Sequence, residues 1–522
     1  MPTVLIRLLL SLALLLPLTS HAGDATDFVA ASPARQAHLL ESWAAQPDPA
    51  RLPLLEALQE GRLAGDSAKQ PFIERGGRYV AVDDAVQPQG SPKKLRLNNR
   101  LRGLLATTQA SHQLLDQDST VRLAAARQLQ KSAKPVQLAL LDASLVAEDN
   151  KDVRDALALA LANLQLADND PAVRLAAVRL LGESGEPLAR TRLVALLASA
   201  ESDAQVRNIA QISLSQVERR LLVGELLGQA FSGLSLGSIL LLAALGLAIT
   251  FGLLGVINMA HGEMLMIGAY TTWLVQSTFQ KFAPSYLDLY PLAALPVAFL
   301  VTAAIGMALE RTVIRHLYGR PLETLLATWG ISLILIQTVR VLFGAQNVEV
   351  ANPTWLSGGL QVLPNLVLPY SRIAIIGFAL CVVVLTWLLL NRTRLGLNVR
   401  AVTQNRNMAA CCGVPTGRVD MLAFGLGSGI AGLGGVALSQ IGNVGPDLGQ
   451  SYIIDSFLVV VLGGVGQLAG TVMAASGLGI ANKLLEPQIG AVLGKILILA
   501  LIILFIQKRP QGLFALKGRV VD

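Results

Sequence analysis

Charge is scarce in this chain. Of its 522 residues only 15% are charged while 53% are hydrophobic, against roughly a quarter charged in ordinary soluble proteins. The shortage excludes an ordinary soluble enzyme, a disordered chain and a nucleic-acid-binding protein. It leaves an integral membrane protein with room for a second domain. Aromatic residues are also few, at 5%, whereas glycine is abundant at 47 residues. An outer-membrane barrel needs aromatic girdles; helices packed closely in lipid need small residues. Cysteine is nearly missing. Cys381, Cys411 and Cys412 all lie in the C-terminal half, so no disulfide framework supports the residues before them.

Nucleotide and metal motifs are lacking too. Gly490-Ala-Val-Leu-Gly494-Lys495-Ile496 is one residue short of a phosphate-binding loop and lacks its closing Ser or Thr. Gly427-Ser-Gly429-Ile-Ala-Gly432 fits a dinucleotide fingerprint by letters, but inside an apolar stretch it reads as helix packing, as does Gly425-x-x-x-Gly429. His261-Gly-Glu263 is not the spacing of a zinc protease, and His38 and His112 have no neighbouring ligand. No catalytic residue, metal site or bound cofactor is expected of this chain, and any ATP hydrolysis, with its magnesium, must come from a partner.

What is present begins with an export signal. Arg7 precedes the apolar run Leu8–Leu18, and Ser20-His21-Ala22 is a small-x-small cleavage site. The run is too short for a span of about 20 residues, so residues 1–22 read as a cleaved signal peptide, with an uncleaved anchor as the alternative. Either way the following residues are expected outside the cytoplasm. Residues 23–220 carry 25 Lys and Arg against 24 Asp and Glu when the signal is counted with them; residues 221–522 carry 17 against 11. The basic excess therefore sits beside the apolar runs, where it reports topology.

Residues 23–220 read as an exported domain of HEAT-like helical repeats. Asp118-Ser-Thr-Val-Arg122-Leu-Ala-Ala-Ala-Arg127 resembles Asp170-Pro-Ala-Val-Arg174-Leu-Ala-Ala-Val-Arg179, with weaker copies at Asp152-Val-Arg154 and Asp203-Ala-Gln-Val-Arg207. Each has a polar cap before apolar residues at helical spacing, and such units stack because one alone cannot bury its apolar face. The Val-Arg pairs are 32, 20 and 33 residues apart, an irregular period. Between about 64 and 100 the helical pattern breaks. Arg78–Val82 alternates like a strand, and Lys93, Lys94, Arg96, Arg100 and Arg102 form a basic cluster. That cluster is either a solvated face or a contact for anionic lipid or an acidic partner.

Residues 221–522 read as a polytopic helical membrane domain, so the fold class expected of the whole chain is all-α. Apolar runs fall at about 235–257, 262–278, 290–309, 322–343, 372–390, 421–440, 455–483 and 488–507. The segments around 310–320, 391–418 and 508–519 are basic, which predicts a cytoplasmic location, whereas those at 279–289, 344–371 and 441–454 hold one Lys and no Arg. A cytoplasmic tail with an exported N-terminus needs an odd number of crossings. Eight runs are even, so the 455–483 run, rich in glycine, is expected to be doubled or re-entrant, giving eight or nine spans or broken helices.

Two interruptions mark a candidate path. Asn258, His261 and Glu263 lie inside an otherwise apolar stretch that continues to Tyr270, and polar groups at membrane depth line paths or pair with one another. The alternative is a plain cytoplasmic turn. The second interruption is Gly463, Gly464 and Gly466, where glycine frees the backbone; close helix packing is the alternative.

These residues also carry a resemblance. Gly246-Leu-Ala-Ile-Thr-Phe-Gly-Leu-Leu-Gly-Val-Ile-Asn258-Met-Ala-His261-Gly-Glu263 resembles the opening of LivH-type branched-chain amino acid ABC permeases, as do Arg320-Pro-Leu-Glu323, Val460-Val-Leu-Gly463-Gly464-Val-Gly466 and Arg509-Pro-Gln-Gly512-Leu-Phe514. The likeness covers about 225–519. It implies a permease subunit of a binding-protein-dependent importer in the bacterial inner membrane. The implied partners are a second permease subunit, two ABC ATPase subunits and a periplasmic solute-binding protein. It also implies a coupling loop within 391–420. There Arg400, Asn405, Met408, Ala409 and Gly413 match, and Val399–Met408 is predicted as a short helix ended by Gly413, with Met408 and Ala409 as its apolar face. The adjacent Cys411 and Cys412 depart from the pattern. A signal peptide and some 200 helical residues ahead of such a permease resemble the urea-type subfamily, and the low fixed charge of the spans suits a neutral solute. Urea is therefore the expected substrate, with branched-chain amino acids or short amides as alternatives. A passive channel with a scaffold domain, or a receptor, are alternatives of another class.

Overall fold

A computed structural model describes residues 22–75, 78–82, 92–199 and 203–514. The export signal and the basic residues Lys517 and Arg519 lie outside the described residues. The chain separates into two compact units, Met1–Leu222 and Val223–Asp522.

The first unit opens with helices α1 (Ala22–Ala30), α2 (Pro33–Ala45) and α3 (Leu52–Gln59). Four short antiparallel strands follow: β1 (Leu63–Gly65), β2 (Pro71–Arg75), β3 (Arg78–Ala81) and β4 (Lys93–Lys94), in the order β3-β2-β1-β4. This sheet corrects the all-helical expectation. Phe72 pairs with Ala81 and Ile73 with Val80, and Phe72, Ile73 and Leu63 are buried, so the β-formers that alternate here have a core to face. Phe28, Leu40, Trp43, Leu55 and Leu104 complete that core.

Helices α4 (Asn99–Gln113), α5 (Ser119–Ser132), α6 (Leu138–Ala147), α7 (Lys151–Gln165), α8 (Pro171–Glu183) and α9 (Pro187–Ala198) continue the unit. The recurring Val-Arg segments have a shared local cause. Asp118 accepts a hydrogen bond from Thr120 N, Asn150 from Asp152 N, Asp170 from Ala172 N and Asp203 from Gln205 N. Each is a side-chain cap on the first free amides of a helix. The arginine four residues on then turns back to the preceding loop. Arg122 donates to the carbonyls of Asp116 and Gln117, Arg174 to those of Asp168 and Asn169, and Arg154 to those of Glu148 and Asp149. The third copy is thus capped by Asn150, two residues earlier than its Asp152 suggests.

The second unit contains the later part of α10 (Ala204–Leu254), then α11 (His261–Phe282), α12 (Tyr290–Thr312), α13 (Pro321–Phe343), α14 (Tyr370–Arg392), α15 (Arg394–Gln404), α16 (Arg406–Cys411), α17 (Thr416–Ser439), α18 (Leu448–Gly463), α19 (Leu468–Ile489) and α20 (Ala491–Lys508). Strands β5 (Gly359–Leu363) and β6 (Leu366–Pro369) form a hairpin in the segment before α14. Among the described residues seven helices are long and apolar enough to cross a membrane, fewer than the eight or nine expected. The difference is α11, which is interrupted by polar residues, and α18, which has 16 residues. The apolar run 455–483 does break. Gly464 and Gly466 adopt φ of +97° and +82°, a region open to glycine, and this separates α18 from α19.

Burial sorts the helices. The apolar window of α10 is 83% buried and that of α17 is 78%, against 17% for α20. Helices α10 and α17 form the centre. Helices α13, α14 and α20 expose Leu326, Ile334, Leu342, Leu380, Leu385, Ile496 and Leu504, an apolar surface suited to lipid. The chain is a largely α-helical, multi-pass membrane protein.

Candidate functional site

The site begins where α10 ends. Gly255 has φ of +66° and turns the chain back. Asn258 then accepts from Ala260 N at 3.1 Å, and its carbonyl accepts from His261 N at 3.3 Å. This is an Asx turn that opens α11. Met259 N donates to Thr328 Oγ1 at 3.1 Å.

His261 is fully buried. Its ring lies against Gly246 of α10, where a Cβ would come within 2.9 Å of the imidazole. Its Nε2 is 3.0 Å from the Ala243 carbonyl. A carbonyl only accepts, so Nε2 carries the proton, and in the neutral ring Nδ1 is then a bare acceptor. That Nδ1 has no hydrogen-bond partner. Glu263, also buried, accepts from the Ser332 hydroxyl through Oε1 at 2.8 Å, while Oε2 has no partner. A buried polar atom left in this state costs about 1–3 kcal/mol.

The start of α11 meets the start of α18. A Cβ at Gly262 would lie 2.6 Å from the Gly449 carbonyl; one at Gly449 would lie 2.5 Å from the Gly262 carbonyl and 2.7 Å from Glu263 Oε2. The two backbones touch, and the positive ends of two helices adjoin one carboxylate. Ser332 is the middle residue of the 23-residue α13. Helix α11 therefore starts level with the middle of α13, not at its end.

Tyr270 lies on α11, about 13 Å along the axis from His261 at 1.5 Å per residue. Its ring stacks on Phe343 at 5.0 Å, and its buried hydroxyl has no partner. Nearby in the same core, Tyr290 donates to the Ala351 carbonyl at 2.7 Å and meets Gln440.

The three glycines stand apart from this group. Gly463 packs on Gly470, Gly466 on Gly252, and Gly464 against Gln511 and Phe514. Leu513 N donates to the Leu462 carbonyl at 2.8 Å, and a Cβ at Gly512 would lie 2.7 Å from Gly464 N. The glycine turn is a seat for the Arg509–Phe514 segment. The structure brings together two of the motifs, but it does not place Gly463, Gly464 and Gly466 beside His261 and Glu263.

The loop 391–420 is a two-helix hairpin, which corrects the single helix expected over 399–408. Asn405, with φ of −153°, ends α15 and caps α16 by accepting from Met408 N at 2.9 Å. Gly413 has φ of +82° and closes α16, as its residue type predicts. Arg400 donates to Asn391 at 3.1 Å. Met408 is 62% exposed, whereas Ala409 is buried with Val399, Val402 and Val419. The two residues therefore face opposite ways: Met408 outward, Ala409 into the unit.

Sequence reasoning missed Thr328 and Ser332. Thr324, Thr328 and Ser332 recur every four residues on the buried face of α13, and that hydroxyl stripe was the available signal. The glycines of α17, in contrast, do pack as read: Gly425 lies against Met307 and Gly429 against Phe299.

The family described as branched-chain amino acid transport system / permease component matches residues 229–506. The high-affinity branched-chain amino acid transport system permease protein BraD of Pseudomonas aeruginosa is 30% identical over 293 residues, covering 55% of this chain and 95% of BraD. The corresponding LivH of Escherichia coli is 29% identical over 292 residues, 55% of this chain and 94% of LivH. The autoinducer 2 import system permease protein LsrD of Photorhabdus luminescens is 28% identical over 201 residues, 35% of this chain and 56% of LsrD. No solved structure matches. The residues ahead of 229 lie outside the family match, and the membrane unit carries it almost throughout: this chain belongs to the family of branched-chain amino acid transport system permease components and is a transport subunit, not an enzyme.

Proposed function

We propose that this chain is the permease subunit of an ABC importer for branched-chain amino acids or a related small polar solute, with the solute passing the start of α11. The observation that carries the reading is the pairing of Glu263 Oε2, buried and without a partner, with the adjoining first turns of α11 and α18. Helix N-termini attract a carboxylate and Glu263 attracts an ammonium. An amino acid zwitterion offers both. Asn258, His261 and Tyr270 extend this lining, and the Gly463–Gly466 turn acts as a hinge apart from it, where it seats the Arg509–Phe514 segment.

Transport is driven from outside the chain. Two ATPase subunits press on the α15–α16 hairpin through Met408 and its neighbours Arg400 and Asn405, while Ala409 and Gly413 hold the hairpin's shape. A second permease subunit completes the path, and a periplasmic binding protein delivers the solute. The protein sits in the bacterial inner membrane with its C-terminus in the cytoplasm. The signal 1–22 exports the first unit, whose capped helices stack in HEAT-like fashion and guide the binding protein.

A second reading is favoured by one observation. His261 Nδ1 and Glu263 Oε2 are both acceptors, and urea or a short amide presents only N–H donors to them. The extra N-terminal unit suits the urea-type subfamily. Uptake in cells lacking this chain and then complemented with it separates the readings. Leucine competing with labelled substrate supports the first, urea or acetamide the second. Restored uptake that none of the three competes with contradicts both.

A further inference from the structure

The hairpin α15–α16 is tied to the rest of its unit by a charge cluster that the solute path does not use. Arg406, the first residue of α16, forms an ion pair with Asp420 near the start of α17. The Asp420 side chain has no exposure at all, while that of Arg406 is 41% exposed. The same guanidinium lies over the ring of Tyr318, 4.6 Å from its centre. Tyr318 belongs to the turn between α12 and α13, and its hydroxyl faces Glu310 Oε1 at 3.5 Å. Glu310 is itself buried in the last turn of α12, with Oε2 unpartnered. One cation on the hairpin thus touches α17 directly and α12 through Tyr318. Helix α17 in turn packs on α11 and α12, so the cluster reaches the helix that carries His261 and Glu263.

Two physical facts make this more than an anchor. A fully buried carboxylate cannot lose its cation without a large desolvation cost, so the pair is held or broken and does not stretch gradually. The planar guanidinium also bonds a carboxylate along its edge while stacking on a ring by its face, which an ammonium does not do. Motion of the hairpin therefore moves α17 and the α12–α13 turn with it.

We infer that Arg406 is a positioning residue for transport: its contacts with Asp420 and Tyr318 carry the hairpin's displacement into α17 and α12. The inference rests on the ATPase-driven reading above. It is distinct from docking of the ATPase, which falls to the outward-facing Met408.

The test uses the assembled importer in liposomes, with loaded binding protein, and reads solute moved per ATP hydrolysed. Three variants are compared: Arg406→Gln, Asp420→Asn and the double variant R406Q/D420N. Removing both charges leaves no carboxylate stranded at position 420, so the double variant separates folding from coupling. The expected result is that the double variant keeps its ATPase subunits while solute per ATP falls about tenfold. A double variant with the wild-type ratio overturns the inference, because the pair then serves folding alone. A wild-type chain that moves solute without ATP overturns both this inference and the importer reading.

Discussion

The two units answer the same question, where backbone and side-chain polar groups find partners, with different emphasis. In the first unit helix ends and loops dominate, although Thr107, Thr108 and Ser111 also turn onto their own helix α4. Asp118, Asn150, Asp170 and Asp203 cap helices, arginines reach back to loop carbonyls, and Arg122 grips Glu148 with two hydrogen bonds of 2.8 and 2.9 Å. In the second unit hydroxyls turn onto their own helix. Thr272 donates to Gly268, Thr302 to Ala298, Ser456 to Tyr452 and Thr471 to Gln467. Helices meet backbone to backbone, at Gly246 and Gly427, Gly268 and Gly432, and Gly233 and Gly479. Water takes up leftover donors and acceptors around the first unit; lipid offers none to the second. An unpartnered buried acceptor such as Glu263 Oε2 is therefore a stronger pointer to function in the second unit than a polar atom on the first.

The sharpest way to break this contrast is the same substitution in both units. Gly268→Ala would drive a methyl group into the backbone of Gly432. We expect it to abolish uptake and lower the yield of folded protein in membranes, since backbone cannot yield as a flexible side chain does. Gly103→Ala, at a helical position with nothing near its Cβ, is the matched control at the other end of the scale. It should stabilise the protein by about 0.5–1 kcal/mol, read as a rise in thermal midpoint.

Next in size is Glu263→Gln. If the carboxylate meets an ammonium group, uptake of leucine should fall by about tenfold or more, since an interaction with a charged group is worth about 1.5–3 kcal/mol. Uptake of urea or acetamide should change little, because a neutral solute keeps its hydrogen bond. Equal losses for both would contradict the zwitterion reading.

A smaller effect is expected at Glu148 in the first unit. The Arg122 side chain holds the Glu148 carboxyl below its ordinary range. A lowered folded value contributes stability above pH 4.5, the ordinary value, and that stability is lost as pH falls through the lowered one. Glu148→Gln should therefore flatten the acid side of the stability profile and cost about 1 kcal/mol at neutral pH. Thermal unfolding between pH 3 and 7 measures both. Unchanged uptake by this variant would place its effect in the first unit alone.

Features set by local chemistry were legible in the sequence. The polar break at Asn258–Glu263, the glycine break at Gly464–Gly466 and the close of the hairpin at Gly413 each depend on residues within one turn of the event. Features set by distant partners were not. Ser332 lies 69 residues from the Glu263 it serves, and Arg406 finds Asp420 only because α16 folds back on α17. Of the sheet only β3 was legible, in the alternation of Arg78–Val82; β1 and β4 are two or three residues long and exist only by pairing. The break at Asn405 was hidden because asparagine suits a cap as well as a helix surface.

The central claim is that the start of α11 lies within the membrane unit yet is open to the solute. It is tested most directly by His261→Cys in a chain with Cys381, Cys411 and Cys412 replaced, labelled by a small water-soluble thiol reagent in the assembled importer. The account predicts labelling in at least one nucleotide state and its suppression by transported solute. A thiol that stays unlabelled in every state, or labels at the same rate with and without solute, contradicts it.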